Sequence, residues 1–325
     1  MSAMQNRVSS ALLHIAPCPS CQGGQGKILG ASIFSESSDR ASMIALEKSC
    51  GAVYRCKRCH LVFRFPMPTP QELARAYEDW PVTCWTYQEP LHWDWTLTCI
   101  RNFSPNKNVL DVGCFRGDFL RKLPPEFEKF GVEPNPQAAE IATNSGIKII
   151  GRDVMDHLAG QEGQFGAIVM MDVAEHVPDP AAVFRHLRTY LAPGGILIVL
   201  TGNSDHWLAR LSLPFYWYMS FSVHLVHLGK RYFRWVSKTD HWELLQMSSY
   251  ALWEQDASVR SRERKRGLAV WLWQKCLQKT PLAALLRKFS QIAKVESIRT
   301  PPMLYSQRDH VGAVLRKKLS NTSPA

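Results

Sequence analysis

The sequence predicts an α/β chain in which a parallel sheet is wound with helices, preceded by a small metal-binding module and interrupted near its end by a basic helical insertion. Three observations carry this. Short apolar runs end repeatedly in an acid or a glycine turn and lead into helical stretches, beginning with Val109-Leu110-Asp111-Val112-Gly113, the order that a sheet with helical crossovers requires. Two Cys-x-x-Cys pairs, Cys18/Cys21 and Cys56/Cys59, stand ahead of the first such run. The net charge of +11 is concentrated between 258 and 302, where eleven Lys/Arg meet two Glu. At 325 residues, with 46% hydrophobic and 21% charged positions, the chain has the balance of an ordinary folded protein.

Taken in order, residues 14–66 are expected to form a zinc-ribbon-like module. Each Cys-x-x-Cys turn can aim two thiolates at one ion, and the 34 residues between Cys21 and Cys56 suit a small β-ribbon with a long excursion. Cys18, Cys21, Cys56 and Cys59 are the candidate Zn²⁺ ligands, with Cys50 and His60 read as bystanders. A closed four-thiolate site would support structure and perform no chemistry. With no export signal at its start, the chain is expected in a reducing cytoplasm. Residues 67–104 read as a proline-rich linker, a short helix over 71–79, and an aromatic stretch turning helical before Phe103; Tyr77, Trp85 and Tyr87 could close over a ligand or pack in the core.

The stretch 109–120 reads as a buried strand, a tight turn and the start of a helix. Gly113 and Gly117 allow backbone to approach a ligand closely. Asp111 beside that turn would repel a bare pyrophosphate, whereas a cationic ligand gains from it. S-adenosylmethionine, with its ammonium and sulfonium, is such a ligand. A second strand, 127–133, ends in Glu133, 22 positions after Asp111, where an acid can accept hydrogen bonds from ribose hydroxyls. A helix over 137–145 stops at Gly146, and a third strand over 147–150 precedes Asp153, which reads equally as a ligand contact and as a helix N-cap before Met155. The fourth strand, 165–171, runs into Asp172-Val173-Ala174-Glu175-His176. A helix over 181–191, a Pro193-Gly194-Gly195 turn and a fifth strand over 196–200 follow. Residues 211–229 carry no Asp, Glu, Lys or Arg and are rich in aromatics, an expected pocket wall or apolar patch. Residues 242–246 read as helix, 248–253 as the sixth strand and 309–316 as the last.

The run Asp111-Val112-Gly113-Cys114-Phe115-Arg116-Gly117 resembles the first motif of the class I S-adenosylmethionine-dependent methyltransferases, with Phe115 in place of the usual middle glycine. Asp172-x-x-Glu175-His176 resembles their fourth motif, and Leu191-Ala192-Pro193-Gly194-Gly195 ahead of an apolar strand resembles the approach to their fifth. The resemblance implies a Rossmann-like, doubly wound, seven-stranded domain over 105–318. It implies cofactor contacts at Asp111, Gly113, Cys114, Gly117, Glu133, Asp153 and Asp172, with Val154 packing on the adenine. His176 and His224 are the candidate catalytic bases, with His227 behind them. The spacing of Asp172, Glu175 and His176 also resembles the ubiquinone-biosynthesis O-methyltransferases, which implies a divalent cation held by these three.

The expected activity is methyl transfer to a small molecule, a sugar or a lipid-linked intermediate. Two alternatives stand beside it: a zinc-ribbon RNA methyltransferase, disfavoured because 172–175 is not the Asn/Asp-Pro-Pro-aromatic run that stacks a base, and a non-catalytic S-adenosylmethionine-binding module. The basic insertion 258–302 is expected to pack as a solvated helical hairpin or to touch an anionic membrane peripherally; nucleic acid is the less favoured partner.

Overall fold

The computed structural model describes residues 15–32, 34, 41–78, 90, 92–212, 216–251 and 309–318. The expectations for 79–89 and for the insertion 258–302 lie outside the described residues.

Two sheets organise them. The N-terminal strands β1 (Ile15–Pro17), β2 (Gln25–Gly30), β3 (Ala52–Cys56) and β4 (Val62–Phe65) form an antiparallel ribbon, with helix α1 (Ala41–Ser49) between β2 and β3. Helices α2 (Pro70–Glu78) and α3 (His92–Phe103) follow. α2 starts where Thr69 and Glu72 cap each other: the Glu72 carboxylate accepts from the Thr69 amide at 2.7 Å, and the Glu72 amide donates to the Thr69 hydroxyl at 3.3 Å.

The second sheet holds β5 (Asn108–Val112), β6 (Glu128–Val132), β7 (Lys148–Gly151), β8 (Phe165–Met171), β9 (Leu191–Gly202), β11 (Trp242–Tyr250) and β12 (His310–Lys317). Its order is β11-β12-β9-β8-β5-β6-β7, parallel except for β12, which runs antiparallel to both its neighbours. Helices α4 (Pro136–Asn144), α5 (Pro180–Tyr190), α6 (Trp207–Ser212) and α7 (Lys230–Thr239) and the two-residue strand β10 (Val226–His227) complete the fold. Alternate residues of the central strands enter different cores. Val109, Val169 and Ile198 pack with α3 and α4, while Leu110, Ile168 and Val199 pack with α5 and α7. Burial on both faces explains why β8 reads as a continuous apolar run with no alternation. The seven-stranded, doubly wound, Rossmann-like sheet is therefore as the sequence predicts.

Three local readings are corrected. No α-helix begins at Gly117: Gly113, Phe115 and Gly117 take positive φ values of 76°, 48° and 75°, a single 3₁₀ turn covers Leu120–Lys122, and Leu123 is extended. Pro124 enforces this, because the residue before a proline is driven out of the helical region. Residues 242–246 are strand; β11 runs unbroken to Tyr250, and the helix that the period suggested lies earlier, as α7. Pro193-Gly194-Gly195 lies within β9 as an irregularity, where the register jumps from Phe165↔Leu191 to Ala167↔Ile196.

Candidate active site

A parallel sheet presents its ligand crevice at the carboxyl ends of its strands, where the strand order reverses. Here β5 is flanked by β6 on one side and β8 on the other, so the crevice opens above Asp111 and Val112. Gly113 leaves the crevice narrow: a Cβ there would stand 2.6 Å from Cγ2 of Val173, just beyond β8.

On the β5–β7 side, Asp111 is buried, and its Oδ1 has no hydrogen-bond partner among the described residues. Burial and the nearby Glu133 push its carboxyl well above the ordinary aspartate range. Glu133 is fixed by two backbone amides, Phe115 N–H to Oε2 at 2.8 Å and Asn135 N–H to Oε1 at 2.9 Å. Phe115 thus keeps the turn that a glycine would make, and its amide orients the second acid. Cys114 donates its amide to the Val132 carbonyl at 3.2 Å and turns its thiol toward Gly131 in the core, so it presents no side-chain polar group to the crevice. Gly117 serves packing, since a Cβ there would lie 1.8 Å from Ile147. Asp153 is exposed, and its carboxylate accepts from the Met155 amide at 2.7 Å, closing a turn. Val154 packs against the core that contains Val132.

The β8–β12 side is built from rings. Centroid spacings link Tyr77 to His176 (5.9 Å), His176 to His224 (4.9 Å), His224 to Tyr218 (4.3 Å), Tyr218 to His310 (5.2 Å), His310 to Tyr250 (5.6 Å) and Tyr250 to His92 (4.9 Å). Two acids lie among them. Glu175, fully buried, accepts from the Thr201 hydroxyl at 2.8 Å and from the Tyr218 hydroxyl; Asp172 meets Tyr218 at 3.5 Å. Burial and the Glu175 charge push Asp172 up to about 7. His224 contacts the Tyr218 carbonyl through Nδ1 at 2.7 Å, and His176 contacts the Val223 carbonyl through Nδ1 at 3.1 Å. A carbonyl can only accept, so each ring carries its proton on Nδ1 and leaves Nε2 a bare lone pair. Burial, with the neighbouring histidines, holds His224 well below the usual histidine range. For His310, burial acts downward, but the 2.8 Å hydrogen bond and charge of Asp309 prevail and raise it. His92 and His227 are buried and Tyr77 and Tyr250 half-buried, and their ring nitrogens or hydroxyls are unpartnered among the described residues.

The sequence-predicted residues are thus divided. Asp111, Gly113 and Glu133 gather on one side and Asp172, His176 and His224 on the other, while Gly117 and Cys114 face the core. Asp172 is not grouped with Glu175 and His176 as a cation site; His224 takes its place, the donor atoms of Glu175, His176 and His224 lying within 4.8 Å of one another. Tyr218 lies in the aromatic stretch 211–229 expected to form a pocket wall, whereas sequence reasoning missed Tyr250, His92 and His310. Each sits in a run that reads as ordinary strand, helix or aromatic core, and no local spacing marks it.

The four cysteines converge as expected. They are buried, with Sγ–Sγ separations of 3.5 Å for Cys18–Cys59 and for Cys21–Cys56. That is too long for a disulfide and close to the roughly 3.8 Å edge of a tetrahedron with 2.3 Å metal–sulfur bonds. The neighbouring Cys18 and Cys59 thiols, and after them the amides of Cys59 and Arg58 that point at Cys56 Sγ at 3.4 and 3.3 Å, favour the Cys56 thiolate and lower its pKa. Gly24 is obligatory here, because a Cβ would meet the Cys21 and Cys56 sulfurs at 2.4 and 2.6 Å.

The sheet order and the crevice define a class I methyltransferase fold. The family model described as a methyltransferase domain matches residues 86–251, just over half of the chain, and the chain belongs to that family, the S-adenosylmethionine-dependent methyltransferases. Among curated relatives, the ubiquinone biosynthesis O-methyltransferases of Escherichia coli and Shigella boydii are 34% identical over 111 residues, 31% of this chain and 46% of theirs. The aligned stretch spans less than half the length of those relatives. Similar solved structures include the YcgJ protein of Bacillus subtilis (TM-score 0.45, 12% identity, 70% of this chain and 98% of that one). Another is a geranyl diphosphate methyltransferase in complex with GPP and sinefungin (TM-score 0.44, 14% identity, 70% and 78%). No helix among the described residues is long and apolar enough to cross a membrane.

Proposed function

We propose that this methyltransferase moves the methyl group of S-adenosylmethionine to a hydroxyl of a small molecule bound among the rings of the β8–β12 side. The observation that carries the reading is the division of the crevice. Asp111, a buried carboxylate whose Oδ1 is unpartnered among the described residues, suits a cationic cofactor; across β5/β8 stands a set of buried and half-buried phenol and imidazole groups whose hydrogen-bonding capacity is unspent among the described residues. Such groups suit a polar acceptor of limited size, and the O-methyltransferase activity of the E. coli relatives favours oxygen as the acceptor atom.

In this reading Asp111 faces the charged amino-acid end, Glu133 accepts from the ribose, and Asp153 and Val154 border the adenine. Asp172 stands between cofactor and acceptor. Methyl transfer is an in-line displacement: the acceptor oxygen forms the new O–CH₃ bond as the C–S bond breaks, its electron pair passing to sulfur. Alignment supplies much of the acceleration. The hydroxyl proton passes to Nε2 of His224 or His176, whose Nδ1 contacts hold that lone pair ready. The four-cysteine cluster fits a structural Zn²⁺ in tetrahedral thiolate coordination.

The test is calorimetric and radiochemical. S-adenosylmethionine should bind the wild type, and Asp111→Ala and Glu133→Ala should each weaken it; unchanged affinity in both removes these assignments. Labelled methyl should pass to a hydroxyl compound from a panel of phenols, sugars and lipid-linked intermediates. Transfer to RNA in its place would favour the alternative substrate class, and binding without transfer to any acceptor would favour a non-catalytic module. Liposome flotation with and without residues 258–302 decides whether the insertion attaches the enzyme to an anionic surface.

A second reading of one cluster follows from its donors. Glu175, His176 and His224 offer one carboxylate and two imidazoles, a set that suits a transition metal better than Mg²⁺. Titration with Mn²⁺ after saturation of the cysteine site, against His224→Ala, checks it; equal uptake by both proteins excludes it.

A further inference from the structure

The four-cysteine module is more than an appendage to the methyltransferase sheet. Its ribbon is completed by a strand from the other end of the chain: β10 pairs antiparallel with β4, Val226 opposite Phe63 and His227 opposite Val62. The module therefore shares a sheet with the segment that carries His224 and His227.

Arg64 stands at the centre of this junction. It lies on β4 and is fully buried, yet no carboxylate lies within ion-pair distance among the described residues. A buried charge must be hydrogen-bonded if it is not paired. Arg64 meets that need chiefly with backbone oxygens of one loop: Nε donates to His224 O at 3.0 Å, and Nη2 donates to Phe221 O at 3.3 Å and to Met219 O, while Nη1 donates to the Ser32 hydroxyl of the module itself. Its own amide donates to Leu225 O at 3.0 Å. A guanidinium fork can reach several carbonyls at fixed angles, which a lysine cannot match.

The chain of bonds continues into the site. The amides of Leu225 and Val226 donate to the carbonyl of Glu175 at 2.8 and 3.1 Å. His176 Nδ1 meets Val223 O, and His224 Nδ1 meets Tyr218 O. Each candidate base is thus oriented by a carbonyl of the 218–224 loop, and that loop is gathered by Arg64. Two more ties fix the module in place: Ser20, between the first two cysteines, bonds the Tyr232 hydroxyl of α7 at 2.5 Å, and Arg55 reaches Ser204 O at 3.1 Å. Among the described residues no hydrogen bond links the module to the side chains of Asp111 or Glu133, and Glu133 is held by the turns after β5 and β6.

We infer that Arg64 is a positioning residue for the acceptor half of the active site, and that the four-cysteine module is an integral wall of that half while the cofactor half stands without it. This rests on the acceptor reading of the ring-lined side, but its test does not require the acceptor. The protein is the full chain; the probes are sinefungin, a non-reactive cofactor analogue with an amine for the sulfonium, and amide hydrogen exchange read by mass spectrometry. Arg64→Met should speed exchange of residues 216–228 and 173–177 by about 10- to 100-fold, the loss of charged hydrogen bonds of about 1.5–3 kcal/mol. Exchange over 109–133 and the sinefungin Kd should stay within two-fold. Arg64→Lys, which keeps the charge and loses the fork, should restore part of the protection. Cys21→Ser, acting through the cysteine cluster, should reproduce the Arg64→Met pattern. Unchanged exchange at 216–228 in both Arg64 variants overturns the inference and leaves the methyltransferase reading untouched. A parallel loss of sinefungin binding also overturns it, because the residue would then support the whole fold. If Arg64→Met does not fold, Arg64→Lys and Cys21→Ser carry the same comparison.

Discussion

The two sides of the crevice are built by different rules. On the β5–β7 side, Asp111, Gly113, Phe115, Glu133 and Asn135 lie within 25 residues, and each polar group is set by a turn next to its own strand. On the β8–β12 side, Tyr77, His92, Glu175, Tyr218, His224, Tyr250 and His310 come from across the chain and meet through tertiary packing. The difference teaches that, on the reading proposed above, the cofactor would be held by turns local in sequence, whereas the acceptor would be held by contacts between residues far apart in the chain.

Four substitutions sharpen or break that division. His224→Gln removes a base from the distant-contact side and should lower the rate of methyl transfer about 10²- to 10⁴-fold while leaving cofactor affinity unchanged; steady-state kinetics with calorimetry on the same preparation checks both halves of the statement. Asp111→Asn, on the local side, should weaken S-adenosylmethionine by about 10- to 100-fold, the span of a charged hydrogen bond, with little change in thermal midpoint. Equal damage to both quantities by either variant would mean that the two sides are one unit.

Asp172→Asn tests the border by pH. The carboxyl rises from 3.8 to about 7 in the fold, so the folded chain holds the extra proton between those values. Its stability contribution is complete below about pH 4 and is lost as pH rises through about 7. The amide variant should therefore gain melting temperature relative to wild type at pH 8 and gain less at pH 5. Equal gains at both would remove the assigned shift. The smallest effect is expected from Phe115→Gly. It relieves a positive φ that costs of order 1 kcal/mol in a non-glycine residue, and it should keep the Glu133 contact, which uses the backbone. A loss of cofactor affinity would show that the ring itself takes part.

Legibility followed the same division. The strand ends at Asp111 and Glu133 were readable because a strand, a turn and an acid are written consecutively, and the central strands were readable from apolar runs buried on both faces. The four cysteines announced themselves by spacing. The expected helix at Gly117 failed because Pro124 acts from outside the motif, and 242–246 was misread because five residues with Trp, Leu and Leu fit a helix as well as an edge strand. Tyr250, His92 and His310 were illegible for a plainer reason: their placement depends on strand register and ring packing, not on their neighbours in sequence. Arg64 belongs with them. On an apolar strand, Val62-Phe63-Arg64-Phe65, it reads as the solvent-facing member of an alternation, and it is fully buried.

The pairing of Tyr250 with His310 in the last hairpin has a practical consequence. The chain leaves the sheet and re-enters it at adjacent points, so the two anchor positions are already one backbone spacing apart. Closing a loop costs free energy that grows only slowly with its length, and a short turn could bridge those positions as well as a long excursion does. Whatever is spliced between them, shortened or exchanged, the barrier to reforming the edge is small. This makes the hairpin a port for grafting a foreign peptide or a reporter, and one whose two anchors, Tyr250 and His310, are themselves rings of the crevice wall.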